Sequence, residues 1–183
     1  MITDLHDAPQ EVLRQAAAML VDVFTPLGSD AWRTEEEGLQ EVHECCRPGN
    51  ICIALWDRET LAGWGGARPM YKQITWELHP LVISPGLQGK GLGRVLLAAV
   101  EEEVRRRGGQ ALLLGSDDEN GRTNLNELDP ARQPLESVLS ALRSHGGHPY
   151  EFYRRQGYRI VGIIPDASGP GTHDIWMWKS LRP

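Results

Sequence analysis

Apolar residues recur at helical spacing in some stretches of the chain and alternate or run together in others. Leu13, Ala16, Ala17, Leu20, Val21 and Phe24 form one stripe, which predicts a helix through Phe24 capped by Asp7. Thr34 followed three residues later by Glu37 has the form of a capping box and opens a second helix toward Cys46. The runs 51–56 and 61–67 read as strands joined by the turn-forming Asp57-Arg58-Glu59-Thr60, and 74–83 reads as a third. Residues 91–107 form an amphipathic helix whose apolar face includes Leu92, Val95, Leu96 and Ala99, and Gly108-Gly109 ends it. Residues 111–114 predict a short buried strand. Residues 117–147 are polar, a loop with a modest helix around 136–143. Residues 149–156 read as a helix closed by Gly157, and 158–164 and 174–181 as two closing strands. This order describes an α/β fold (α+β, with a mixed sheet): one central sheet in a single domain over residues 1–183.

Composition narrows the function classes. At 183 residues the chain is long enough to bury a core without metal or disulfide staples. A net charge of −6 argues against general nucleic-acid binding and is compatible with a cationic substrate. Cys45, Cys46 and Cys52 make neither an even framework nor a CxxC pair, which favours buried or idle thiols in a reducing compartment. The first ten residues hold Asp4 and Asp7 and no Lys or Arg, so no secretory signal is expected, and the longest apolar runs are too short to span a bilayer. The expected location is cytoplasmic, with no membrane and no nucleic-acid partner.

Candidate chemistry concentrates between Ile74 and Arg94. Along a strand Thr75, Glu77 and His79 share one face, while Ile74, Trp76 and Leu78 take the other. Glu77 and His79 are then roughly 7 Å apart, room for a water or an amine. Past Pro80 the polar alternation stops at Leu81-Val82-Ile83, and proline gives the ladder no donor, so a bulge or splayed strand is expected there. Such a break leaves backbone N–H groups for a ligand; the alternative is a polar face that simply meets solvent. Gln88-Gly89-Lys90-Gly91-Leu92-Gly93-Arg94 follows, between this strand and the next helix. A glycine-rich turn opening a helix presents N–H donors and the positive end of the macrodipole to an anion, and Lys90 and Arg94 add charge. It is neither the dinucleotide fingerprint, whose third glycine would fall at Arg94, nor a Walker A loop.

Strand, then Q/R-x-x-G-x-G/A, then helix resembles the pyrophosphate-binding motif of the GNAT superfamily of acetyl-CoA-dependent N-acetyltransferases, and Gln88 to Gly93 matches it in full. Downstream, Phe152-Tyr153-Arg154-Arg155-Gln156-Gly157-Tyr158 resembles the F-Y-x-x-x-G-F/Y stretch of that superfamily. Trp76-Glu77-Leu78-His79-Pro80, Leu114-Gly115-Ser116-Asp117-Asp118, His148-Pro149-Tyr150-Glu151-Phe152-Tyr153, and Pro165-Asp166-Ala167 with Asp174-Ile175 are similar to blocks of the aminoglycoside 6′-N-acetyltransferases, in that family's order over roughly 63–179.

The resemblance implies the GNAT acyl-CoA N-acyltransferase fold, with a splayed strand at the cofactor site. It also implies direct transfer of acetyl from acetyl-CoA to a primary amine, here the 6′-amine of an aminoglycoside, with no metal. Leu81, Val82, Ile83, Gln88, Gly89, Lys90, Gly91, Leu92, Gly93, Arg94 and Tyr153 are the expected cofactor contacts. Glu77 is the candidate base; the alternative is a solvated strand carboxylate. His79 either relays the proton or is a packed, hydrogen-bonded histidine. The Leu81 N–H is placed to stabilise the oxyanion, and Tyr153 to protonate the leaving thiolate, unless it is a core tyrosine. Asp117 and Asp118 are candidate ammonium partners or else solvent-facing turn residues, and Trp32 and Tyr71 candidate pocket walls. Glu35, Glu36 and Glu37 fit first-turn helix acids better than ligands. Trp176 and Trp178 alternate with Ile175 and Met177, which points to a strand covered on both sides or a subunit interface. The resemblance implies a homodimer. Competing readings are a GNAT enzyme for another amine (polyamine, small metabolite or protein amine) and a non-catalytic acyl-CoA sensor.

Overall fold

The structure is a computed structural model and describes residues 1–118 and 121–182. Glu119 and Asn120, within the polar stretch after 117, lie outside the described residues. The chain divides into two compact units, Met1–Leu112 with the C-terminal residues from Ser180, and Leu113–Lys179.

In the first unit, β1 (Ile2–Asp4), β2 (Ile51–Asp57), β3 (Thr60–Met70) and β4 (Thr75–Ile83) form consecutive antiparallel pairs. β1 has no counterpart in the sequence reading; at three residues it is too short to show a period. Helices α1 (Gln10–Phe24) and α2 (Glu35–Cys45) pack on each other and on the sheet, and α3 (Leu92–Arg106) packs against β2, β3 and β4. β2 is buried at five successive positions, because helices cover both sheet faces. Leu13, Ala16, Ala17, Leu20, Val42, Cys52, Ala54, Trp64 and Val82 fill the side facing α1 and α2. The Trp64 indole closes that layer by donating to the Ala16 carbonyl at 2.9 Å.

Three local expectations shift. Pro9, not Asp7, stands at the N-cap of α1 and gives no side-chain bond. Thr34 and Glu37 do form the capping box, with bonds of 3.2 and 3.0 Å. In α3 the buried stripe is Leu96, Leu97, Val100 and Val104, one step round from the expected face, and Val95 is exposed. Ile74 lies outside β4, exposed at the end of the turn 71–73, where Tyr71, Lys72 and Gln73 all have positive φ.

The second unit continues from β5 (Ala111–Leu114) through α4 (Leu125–Leu128), α5 (Leu135–Ala141), α6 (Pro149–Arg155) and the antiparallel pair β6 (Arg159–Ile164) and β7 (Asp174–Ser180). Ser116 exchanges backbone bonds of 3.1 and 3.2 Å with Ile175, and the Asp118 N–H donates to the His173 carbonyl. Ile175 and Met177 are fully buried; Trp176 and Trp178 are half-buried, with the Arg159 guanidinium 5.1 Å from the Trp178 ring. Among the described residues, no helix is long and apolar enough to cross a membrane.

His148 caps α6 from the interior. Its Nδ1 accepts from the Tyr150 N–H at 3.2 Å, and its Nε2 lies 3.2 Å from the Asp117 carbonyl, so the neutral Nε2–H tautomer satisfies both. Burial lowers its proton affinity below the ordinary 6.5, with Asp118 opposing. The unfolded chain therefore takes up the proton first as pH falls. Its contribution is complete above about pH 6.5 and is lost on acidification toward the depressed folded value. Thermal melts from about pH 8 to about pH 5 should show a falling midpoint below about pH 6.5, with a smaller fall in His148→Gln.

Candidate active site

The chemistry-bearing strand is broken where proline predicts. Gly65 pairs with Leu81 and Ala67 with Leu78, so His79 and Pro80 together oppose the single residue Gly66. The chains meet closely there: a Cβ on Gly66 would lie 2.7 Å from the His79 carbonyl oxygen and 2.8 Å from the Cys45 sulfur. The Cys45 thiol, buried as expected, donates to that same carbonyl at 3.3 Å. Residue burial nevertheless alternates without interruption from Thr75 to Ile83, with Leu81 and Ile83 half-buried.

Trp76 and Leu78 are buried, while Glu77 and His79 project from the opposite face, toward α2. Glu77 faces Arg68 across the ladder, and the Arg68 Nε donates to its Oε2 at 2.7 Å. The Glu77 side chain is 15% exposed, against 55% for Arg68, which Glu77 pushes above its ordinary proton affinity. His79 is 37% exposed, with its Nε2 3.6 Å from Glu41 Oε1. Trp32 lies against this group, its ring 5.6 Å from the imidazole and tilted to it, and 4.9 Å from Phe24 in an edge-on contact. The structure thus brings Glu77, His79 and Trp32 to one surface. Tyr71, 73% exposed, opens the turn after β3 rather than ending the strand, and has no place in that group.

Sequence reasoning missed Glu41, Arg68 and Cys45. Arg68 becomes visible only once the β3–β4 register is known. Glu41 and Cys45 lie one turn apart on α2, but nothing in the sequence separates Glu41 from the other acids of that helix.

The glycine-rich segment adopts the conformation its motif requires. Gly89 (φ 74°) and Gly91 (φ 81°) are left-handed, and Gly91 is the N-cap of α3, which starts at Leu92 rather than Gly91. An added Cβ on Gly86, Gly89 or Gly91 would meet nothing within 4 Å, so this face of the turn is open. Gln88 Nε2 donates to the Ile83 carbonyl at 3.0 Å and Lys90 Nζ to the Gly86 carbonyl at 3.1 Å, fastening the turn to itself. The N–H groups of Leu92 and Gly93, at the start of α3, point along the axis out of the helix, while that of Arg94 donates to the Gly91 carbonyl at 3.1 Å. An open cradle of backbone donors with Lys90 and Arg94 exposed beside it fits a diphosphate.

In the second unit Tyr153 is buried against Phe152 and Tyr158, at ring distances of 5.0 and 5.6 Å. Burial pushes its phenol far above the ordinary range, so it keeps its proton at neutral pH. Asp117 is exposed, whereas Asp118 is buried and its carboxylate accepts from the N–H groups of Arg122 (2.7 Å) and Thr123 (3.1 Å) and from the Thr123 hydroxyl. Asp118 is therefore engaged with the backbone at Arg122 and Thr123 instead of offering itself to an ammonium group.

The model of the acetyltransferase (GNAT) family matches residues 17–124, more than half of the chain, and the chain belongs to that family. Its α/β architecture is the GNAT fold, and acetyl-CoA is the acetyl donor of the family. Two solved structures, an aminoglycoside 6′-N-acetyltransferase complexed with coenzyme A and the aminoglycoside 6′-N-acetyltransferase from Enterococcus faecium, are each 32% identical. Each likeness covers 100% of this chain and 98% of that one with a TM-score of 0.88. A GNAT protein from Desulfovibrio desulfuricans, 18% identical over 100% of this chain and 99% of that one at a TM-score of 0.69, shares the fold. No curated protein matches.

Proposed function

We propose that the chain acetylates the 6′-amine of aminoglycosides, by direct attack of the amine on acetyl-CoA in a ternary complex, and so confers resistance to them. The observation that carries the substrate class is the likeness over the whole chain to two aminoglycoside 6′-N-acetyltransferases at 32% identity. The chemistry of the first unit agrees with it. Carboxylates at Glu77 and Glu41 with an indole at Trp32 suit a polyhydroxylated polycation.

The incoming amine is an ammonium at neutral pH and must lose a proton before attack. Glu77 holds that charge and takes the proton, directly or through water, while Arg68 fixes one oxygen of the carboxylate. The Leu81 N–H donates to the thioester oxygen as negative charge grows on it. Tyr153, still carrying its proton, donates to the departing thiolate. The turn from Gln88 to Arg94, with Leu81, Val82 and Ile83, holds the diphosphate and the pantetheine arm. Asp117 remains a candidate ammonium partner. No serine or cysteine nucleophile is required, so the chain forms no acyl-enzyme.

We further place the enzyme in the cytoplasm, as three free thiols favour, and as a homodimer, to which Val161 and Ile164 on β6 offer exposed apolar surface.

A thiol-release assay with acetyl-CoA and kanamycin, tobramycin or spermidine tests the substrate class: turnover with the two drugs is expected, and turnover with spermidine alone overturns it. Tyr153→Phe should lower kcat about 10- to 100-fold while leaving the Kd for acetyl-CoA within about twofold, measured by steady-state kinetics and calorimetry. Wild-type binding without turnover of any amine would identify a sensor instead.

A further inference from the structure

Glu41 is a carboxylate facing His79 to which the proposed proton transfers give no part. It stands on α2, half-buried, with 18% of its side chain exposed. Its Oε2 accepts from the Trp32 indole N–H at 3.4 Å, and its Oε1 lies 3.5 Å from the Cys45 thiol and 3.6 Å from His79 Nε2. Cys45 also reaches the His79 backbone carbonyl. The histidine is thus tied to α2 twice, through its ring by Glu41 and through its main chain by Cys45, and the Trp32 ring lies against it. A cavity of about 40 Å³ adjoins the group, walled by Glu41, Cys45, Asn50, Arg68 and His79, with room for one water.

Burial pushes the Glu41 carboxyl up, but His79, Cys45 and Trp32 together outweigh it and hold the group below its usual range. An ionised carboxylate only accepts, so Glu41 Oε1, 3.6 Å from Nε2, favours the tautomer that carries its proton there and leaves Nδ1 as the acceptor. The charged groups around the imidazole are Glu41 and Glu44 from α2, Arg68 from β3 and Glu77 of its own strand.

We propose that Glu41 is a positioning residue for acetyl transfer: it holds the His79 ring with Nε2–H toward α2 and Nδ1 available to receive the substrate's proton. In the balanced step the ammonium proton goes to Glu77 and on to Nδ1 of His79, the amine lone pair is released for attack, and the resulting imidazolium faces Glu41. The inference rests on the acetyl-transfer reading above.

Glu41→Gln removes the charge and keeps one oxygen, which can accept from Trp32 or from Cys45 but not from both. It should lower kcat about tenfold, leave the KM for acetyl-CoA within about twofold, and move the acid limb of the kcat profile to lower pH, with Glu41→Asp recovering part of the loss. A purely structural role would leave the acid limb where it is. A second readout needs no substrate: in the imidazole 15N spectrum of the free protein, assigned with His79→Asn, the His79 Nε2 resonance should shift in Glu41→Gln. An unmoved resonance, or an unmoved acid limb in an active variant, overturns the proposal. If no amine is acetylated by the wild type, the reaction reading fails, and the resonance alone still decides whether Glu41 orients the ring.

Discussion

Glu77→Gln is expected to lower kcat for an aminoglycoside by about 100- to 1000-fold, within the range by which a positioned general base contributes. The amide is nearly isosteric and its oxygen still accepts from the Arg68 Nε, so the β3–β4 pair survives and the fold is retained. Two things are lost together: the site that takes the ammonium proton and the negative charge that holds the ammonium in place. The acetyl-CoA cradle lies in the separate turn from Gln88 to Arg94, so the Kd for acetyl-CoA should stay within about twofold. Because deprotonation then rests with solvent, the variant's rate should climb with pH toward the range where the free amine is abundant. Steady-state kinetics across pH with calorimetry of acetyl-CoA binding measures both effects. A kcat and pH profile matching the wild type would remove Glu77 from the mechanism.

Gly66→Ala should destabilise the protein by about 2–3 kcal/mol, the usual cost of forcing a methyl group into closed space. The new Cβ would stand 2.7 Å from the His79 carbonyl, 2.8 Å from the Cys45 sulfur and 3.3 Å from the Ile51 carbonyl; two of these are backbone atoms, and the third is a buried thiol already bonded to His79. Relief requires β4 to move away from β3 at the bulge, which displaces His79 and breaks the Cys45 contact. Activity should therefore fall along with stability. Gly86→Ala is the matched control: its Cβ meets nothing within 4 Å, and its stability should remain within about 0.5 kcal/mol of the wild type. Urea denaturation of the two variants gives the comparison, and equal stabilities would contradict the close approach at the bulge.

The sequence carried the parts of this picture that depend on local chemistry. The capping box of α2 was legible because both partners lie within four residues. Pro80 announced the break in β4 because its ring denies the ladder a donor, and the glycines from 89 to 93 announced a turn that opens a helix. What depends on register or on distant contact was not legible. The pairing of Arg68 with Glu77 needs the alignment of two strands, and the bulge shifts that alignment partway along. The burial of Asp118 is set by Thr123 and by His148, 30 residues further on, whereas the adjacent Asp117 is exposed. The face of α3 is ambiguous in the sequence because Leu92, Val95, Leu96 and Leu97 offer two overlapping apolar stripes, and packing against the sheet selects the one through Leu96, Val100 and Val104.

The most direct test is a mass spectrum of the products after incubation with acetyl-CoA and a panel of aminoglycosides with and without a 6′-amine. A single added acetyl group on every drug that carries this amine, none on those that lack it, and none with Glu77→Gln is the predicted pattern. Unmodified drugs throughout, or acetylation that ignores the 6′ position, would contradict it.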